Sequence, residues 1–168
     1  MKGILIAGIG NIFLGDDAFG VHVAQRLLQR GVRDGVRVVD FGIRSVDLIY
    51  ALLDGYDAVI LVDATPRGGE PGTLYAIEPD LTKMGPDPVE MEAHSMNPVT
   101  VLRAAKAMGG ELDNILLIGC EPETLGPEEG LLGLSACVEA AVEQALLVVD
   151  SLVEELVMEK LQYLQREV

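Results

Sequence analysis

The chain has 168 residues, of which 49% are hydrophobic, and its formal net charge at neutral pH is −15. This acidity argues against nucleic-acid binding, which needs a basic surface to neutralise phosphates. No apolar run approaches the ~20 residues that cross a membrane, and Met1-Lys2-Gly3 leads straight into a strand pattern without room for a secretory leader, so we expect one cytoplasmic α/β domain over residues 1–168.

The first predicted strand, residues 4–9, leads into a glycine-containing loop with two adjacent acids, Asp16 and Asp17. A dinucleotide-binding Gly-x-Gly-x-x-Gly pattern would need glycine at position 13, which is Phe13, and adjacent carboxylates would repel a pyrophosphate. One interpretation is a helix N-cap with a solvated neighbour. The alternative is that one aspartate caps the helix while the other points to the strand ends, ready to hold a cation or a proton.

The next elements alternate between helix and strand. We predict a helix over residues 18–30 with Gly31 as its stop, a strand over 36–40, and a helix over 45–53 capped by Ser45. A strand over 58–64 follows, and residues 73–77 form a short strand at an edge of the sheet. Asp40 and Asp63 lie at the carboxyl ends of the predicted strands over 36–40 and 58–64.

The second half of the chain begins with an irregular stretch, residues 78–97, which is long for a compact domain and therefore a candidate functional loop. Asn97 and Pro98 suit the N-cap and first turn of a helix over 99–108. A buried strand over 114–119 and a turn-rich loop over 121–133 come next. An extended C-terminal helix, about 135–165, has an apolar stripe that outruns the sheet, which suggests either self-association through this helix or a tail folded back onto the domain.

Strand–helix alternation throughout predicts a three-layer αβα sandwich with a mainly parallel, twisted sheet of about five strands. In such sheets the functional crevice lies outside the carboxyl ends of the strands. Aspartates follow three of the predicted strands there. We therefore expect these acids to meet at one edge of the sheet.

The histidines and cysteines divide into ordinary and candidate functional residues. His22 lies within a predicted helix, whereas His94 lies in the irregular loop, which is placed to fold over the strand ends. Two carboxylates and an imidazole suit a borderline divalent ion such as nickel or zinc, and they equally suit acid–base catalysis on a peptide bond. Cys120 and Cys137 lack zinc-site spacing and are expected to be buried free thiols, with a cysteine nucleophile beside a histidine as the alternative.

Several spaced motifs resemble the nickel–iron hydrogenase maturation endopeptidases over about residues 3–150. The matching segments are Gly8-Ile9-Gly10-Asn11, Asp16-Asp17 with Gly20, Val62-Asp63-Ala64, Pro71-Gly72, His94 with Asn97-Pro98, and Gly119-Cys120-Glu121-Pro122. The resemblance implies cleavage of a C-terminal extension from the hydrogenase large subunit precursor after nickel insertion. It also implies that nickel seated in the substrate is the recognition element, with no cofactor tightly bound to the protease.

The same resemblance implies that Asp17, Asp63 and His94 contact the metal and that Asp17, Asp63 and Asp40 are the candidate catalytic acids. The attacking group is interpreted as a water activated by Asp40 or Asp63. Where family members commonly have Asp-Gly-Gly-Thr, this chain has Asp40-Phe41-Gly42-Ile43-Arg44, so we expect Phe41 and Arg44 to change one wall of the crevice. The alternative function is a non-catalytic metal-binding or chaperone module that inspects the nickel site.

Overall fold

The centre of the molecule is a five-stranded sheet. The computed structural model describes residues 2–82 and 96–166. The strands are β1 (Ile4–Ile9), β2 (Val36–Gly42), β3 (Ala58–Ala64), β4 (Leu74–Ile77) and β5 (Ile115–Cys120), in the order β2-β1-β3-β5-β4. All neighbours are parallel except β4, which runs antiparallel to β5 at the edge. The predicted fold class and the edge position of the fourth strand are confirmed.

In the described part of the chain, four α-helices cover the sheet: α1 (Phe19–Arg30), α2 (Ser45–Leu53), α3 (Pro98–Ala107) and α4 (Ala136–Arg166). Helices α1 and α4 bury their apolar faces against one side of the sheet, and α2 and α3 against the other. Every residue of β1 and β3 is buried. Their continuous apolar sequences follow from this, because a strand covered on both faces has no solvent side on which to alternate polar residues.

Sequence signals at the ends of α1, α2 and α3 were correct at Gly31 and at Asn97-Pro98 and wrong at Ser45. The Oδ1 atom of Asn97 accepts a hydrogen bond from the Val99 amide at 2.9 Å, and Pro98 opens α3. Gly31 ends α1 with φ of 90°, a conformation that favours glycine. Ser45, however, is the first residue of α2 rather than its cap; Arg44 occupies the cap position and makes no capping side-chain bond.

The C-terminal helix runs for 31 residues, or about 46 Å, close to the predicted extent. Val149 and Val153 are buried in the core between α4 and the sheet. Towards its end, Lys160 forms an ion pair with Asp57, while Leu161 and Leu164 expose 49% and 43% of their surface. Self-association through this end stays a prediction. No helix in residues 2–82 or 96–166 is both long and apolar enough to span a bilayer.

Glycine allows α1 to begin in direct contact with the central strands. A Cβ atom on Gly20 would lie 1.9 Å from the carbonyl oxygen of Val62 and 2.4 Å from that of Ile9. A Cβ atom on Gly8 would lie 2.4 Å from the carbonyl oxygen of Gly20. Only glycine fits this contact, and it brings the turn before α1 to the carboxyl ends of β1 and β3.

Candidate active site

Two acids meet at the carboxyl edge of the sheet. Asp63 lies near the end of β3 and is only 6% exposed, and Asp17 lies in the 3-10 turn Gly15–Ala18 that precedes α1. Burial raises the pKa of Asp63 well above its usual value, and the charge of Asp17 raises it further, although a hydrogen bond from the Ala64 amide opposes both effects. Burial also raises the pKa of Asp17, partly offset by the Asn11 amide, which donates to Oδ2 at 2.8 Å.

This pair has the chemistry of a cation or proton acceptor. Among the described residues, neither Asp17 nor Asp63 forms an ion pair. Two carboxylates that repel each other in a buried setting gain stability when a proton or a metal cation comes between them. The electrostatics therefore favour a positively charged ligand at this edge of the sheet.

The other predicted site residues are placed differently. His94 lies outside the described residues, and among residues 2–82 and 96–166 no group of three or more His, Cys, Asp and Glu side chains is arranged to hold a metal ion. Asp40 is paired with Gly8, so β1 separates it from β3 by two strand spacings, about 10 Å. Its carboxylate accepts a hydrogen bond from Nε2 of Gln25 at 3.3 Å. The structure thus brings Asp17 and Asp63 together, and the catalytic role of Asp40 stays a prediction.

Asp16 has a structural role that the sequence did not reveal. Its carboxylate is fully buried and accepts hydrogen bonds from the amides of Glu123, Thr124 and Ser135 and from Oγ of Ser135, at 2.7–3.1 Å. The predicted aspartate cap is wrong, because Ala18 precedes α1 and no side chain caps the helix. The four donors satisfy Asp16, which ties the loop after β5 to the loop after β1.

Glu121 is a second structural acid, at the end of β5. It is 5% exposed and accepts hydrogen bonds from the amides of Arg67 and Gly68 at 2.8 and 3.1 Å and from the Tyr75 hydroxyl at 2.9 Å. The Arg67 amide is the main cause of the lowered pKa of Glu121. The sequence signal was present, since Glu121 follows an apolar strand just as Asp63 ends one, but only the structure separates the two roles.

The two cysteines are free thiols. Cys120 is fully buried, and burial, followed by the charge of Asp16, raises its pKa to about 12. Its thiol is therefore protonated at neutral pH, which disfavours Cys120 as a nucleophile. Cys137 is half-buried, with Sγ 3.5 Å from Oγ of Ser135.

Comparisons with known proteins agree on one family. The family model described as hydrogenase maturation protease matches residues 21–151. The hydrogenase expression/formation protein HupD of Rhizobium leguminosarum is 32% identical over 151 residues, covering 88% of this chain and 74% of HupD. The chain belongs to the hydrogenase maturation protease family.

Solved structures of hydrogenase maturation proteases are similar to this chain in fold as well as in sequence. The hydrogenase maturating endopeptidase HybD from Escherichia coli is 30% identical, with a TM-score of 0.73, and the match covers 91% of this chain and 93% of that one. A hydrogenase 2 maturation peptidase from a Thaumarchaeota archaeon is 33% identical, with a TM-score of 0.67, over 90% of this chain and 98% of that one. Both matches support the α/β architecture seen here.

Within this hydrogenase maturation protease, Phe41 near the end of β2 does not build the expected crevice wall. Phe41 is only 4% exposed and packs in the core beneath α2, so its predicted effect on the crevice is wrong. The cause is a register shift between Gly8 and Ile9, which pair with Asp40 and Gly42 and leave Phe41 as an extra residue. Arg44 covers this turn, with its guanidinium carbon 6.0 Å from the Phe41 ring centroid.

The protease also has a cavity of ≈ 1130 Å³ at the opposite, amino edge of the sheet. Its lining includes Lys2, Tyr56, Asp57, Lys160 and Tyr163, and none of the candidate acids. Size alone does not make it the active site, because the acids with raised pKa values lie at the carboxyl edge, where α/β sheets place their reactive groups.

Proposed function

We propose that this hydrogenase maturation protease removes a C-terminal extension from the nickel-loaded large subunit precursor of a nickel–iron hydrogenase. Its family membership supports peptide-bond hydrolysis, and the names of its relatives point to hydrogenases. The observation that carries the proposal is the Asp17–Asp63 pair, in which two partly or fully buried carboxylates have raised pKa values.

Nickel carried by the precursor is the recognition element in this proposal. A divalent cation between Asp17 and Asp63 relieves their repulsion, so the pair attracts a precursor that carries one. Together with His94, which precedes α3 in the sequence, the donor set is two carboxylates and an imidazole, which suits a borderline ion such as Ni²⁺. The metal belongs to the substrate, and the protease needs no resident cofactor.

The proposed hydrolysis depends on an aspartate. Asp63 accepts a proton from a water molecule, whose oxygen attacks the scissile carbonyl carbon; the proton then passes to the amide nitrogen as the C–N bond breaks. Asp40 is the second candidate base, on β2 and two strand spacings from β3.

Intact-protein mass spectrometry tests this function. The protein is incubated with nickel-loaded precursor and, separately, with nickel-free precursor. We expect only the nickel-loaded sample to lose mass, through cleavage at one bond near its C-terminus. Tight binding of nickel-loaded precursor without any loss of mass would contradict the proteolytic function and favour a chaperone that inspects the nickel site.

A further inference from the structure

Two loops beside the acidic pair expose a group of large apolar side chains, here called the apolar rim. Its members and their exposed fractions are Ile12 (44%), Phe13 (60%), Leu125 (44%), Leu131 (41%) and Leu132 (70%). Single exposed apolar residues are ordinary on protein surfaces, but a group on adjacent loops is typical of an interaction site.

Backbone hydrogen bonds hold the two loops side by side. The Leu131 amide donates to the carbonyl oxygen of Phe13 at 2.8 Å, and the Gly15 amide donates to that of Leu131 at 2.8 Å. Residues Leu14 and Leu131 form a parallel bridge. The rim is therefore preformed, which lowers the entropic cost of binding a partner.

The rim is also connected to the candidate active site. The buried Asp16 carboxylate binds the amides of Glu123 and Thr124, and the Asp16 amide donates to the carbonyl oxygen of Thr124 at 2.9 Å. Asp17 is the next residue along the chain. A polypeptide that binds the rim therefore lies beside the acids.

The charges around the rim indicate the chemistry of its partner. The sequence has no Lys or Arg in residues 3–25 or in residues 107–159, the two stretches that contain the rim. The second loop adds the carboxylates of Glu123, Glu128 and Glu129, all exposed. An apolar surface with exposed glutamates on the same loop favours an apolar segment that carries basic residues.

We propose that the apolar rim docks a segment of the hydrogenase precursor in which apolar side chains are flanked by Lys or Arg. This inference rests on the proposed function and adds a second contact, separate from nickel, that positions the precursor beside Asp17 and Asp63. The segment is held by burial of its apolar side chains and guided by the surrounding carboxylates.

Binding and cleavage measured on the same variants test the rim. Leu132→Ser should raise KM for nickel-loaded precursor about tenfold and weaken the affinity for nickel-free precursor equally, with kcat nearly unchanged. The matched control is Leu147→Ser, which alters a leucine on α4 that is 67% exposed and lies about 16 Å along that helix from its first residue, Ala136. It should leave both quantities at their wild-type values.

A charge variant gives an independent readout. Glu128→Gln combined with Glu129→Gln should raise KM about threefold at low ionic strength and not at ~0.5 M salt, where screening removes the attraction. The outcomes for Leu132→Ser decide the proposal. A Leu132→Ser variant with wild-type affinity for the precursor and wild-type KM would overturn it. So would loss of self-association in Leu132→Ser with unchanged precursor binding, because the rim would then bind a second copy. If the wild type binds precursor without cleaving it and Leu132→Ser weakens that binding, the docking surface stands and the proposed proteolysis fails.

Discussion

Gly20 lies against the carbonyl oxygen of Val62, at a distance that leaves no room for a Cβ atom. Val62 precedes Asp63 in β3, and Gly20 follows Asp17 by three residues. The closeness of helix and strand at this point therefore sets the separation of the two acids.

Replacing Gly20 by Ala should destabilise the fold by about 3 kcal/mol or more, because the new methyl group would meet backbone atoms that cannot rotate away. Gly31→Ala is the matched control. No atom lies within 4 Å of where a Cβ atom on Gly31 would be, and the φ of Gly31 is 90°. The substitution is therefore expected to cost only backbone strain of about 1 kcal/mol. Urea unfolding measures both changes, and equal losses in the two variants would contradict the close contact at Gly20.

The stability of the protein should depend strongly on Asp16 and only weakly on its neighbour Asp17. Asp16→Asn replaces an acceptor of four hydrogen bonds by an amide whose own donors face the loop, and it should cost about 3 kcal/mol. Asp17→Asn removes a charge that repels Asp63 and should change stability by less than about 1 kcal/mol. Chemical denaturation compares the two, and hydrogen exchange should show the loop over residues 121–135 opening only in Asp16→Asn.

The stability of the protein should depend on pH through Asp63. Its pKa is raised in the folded state, so the folded protein binds a proton more tightly than the unfolded chain, whose value is near 3.8. Stability is therefore lost as the pH rises from about 3.8 through the folded-state pKa. Asp63→Asn lacks this loss and should be more stable than the wild type at neutral pH. A stability difference that does not change between pH 3 and pH 7 would contradict the raised pKa.

The sequence predicted the elements that depend on local patterns. Apolar runs were sufficient to predict β1, β3 and β5, because a buried strand consists mainly of apolar residues. Gly31 and Asn97-Pro98 were sufficient to predict helix ends, because particular residue types are favoured there. The position of Asp63 was predictable for the same reason, since a carboxylate at the end of a buried strand must lie at the carboxyl edge of the sheet.

The remaining features depend on distant parts of the chain. Asp16 finds its donors more than 100 residues away, so its sequence neighbours suggested a helix cap instead. The register shift between β1 and β2 buries Phe41, and nothing in the local pattern distinguished it from a residue of the crevice wall. The position of His94 relative to the two acids stays a prediction.

Self-association through the end of α4 should depend on Leu161 and Leu164. Both are partly exposed, whereas Val153 is buried, so paired serine substitutions beyond the core disturb the surface without removing packed residues. If the helix end forms a contact between copies, light scattering should show a larger mass for the intact chain than for Leu161→Ser combined with Leu164→Ser. Monomer masses for both would contradict the prediction.

The most direct test of the acidic pair is the rate at which purified variants cleave nickel-loaded precursor. Asp17→Asn and Asp63→Asn should each lower kcat/KM at least about 100-fold, and His94→Ala should do the same while changing stability by only about 0.5 kcal/mol. Asp113→Asn is the control, since it changes an exposed aspartate before β5, at the amino edge, and should cleave at the wild-type rate. A folded Asp63→Asn variant that cleaves as fast as Asp113→Asn would contradict the assignment of Asp17 and Asp63 as the centre of the active site.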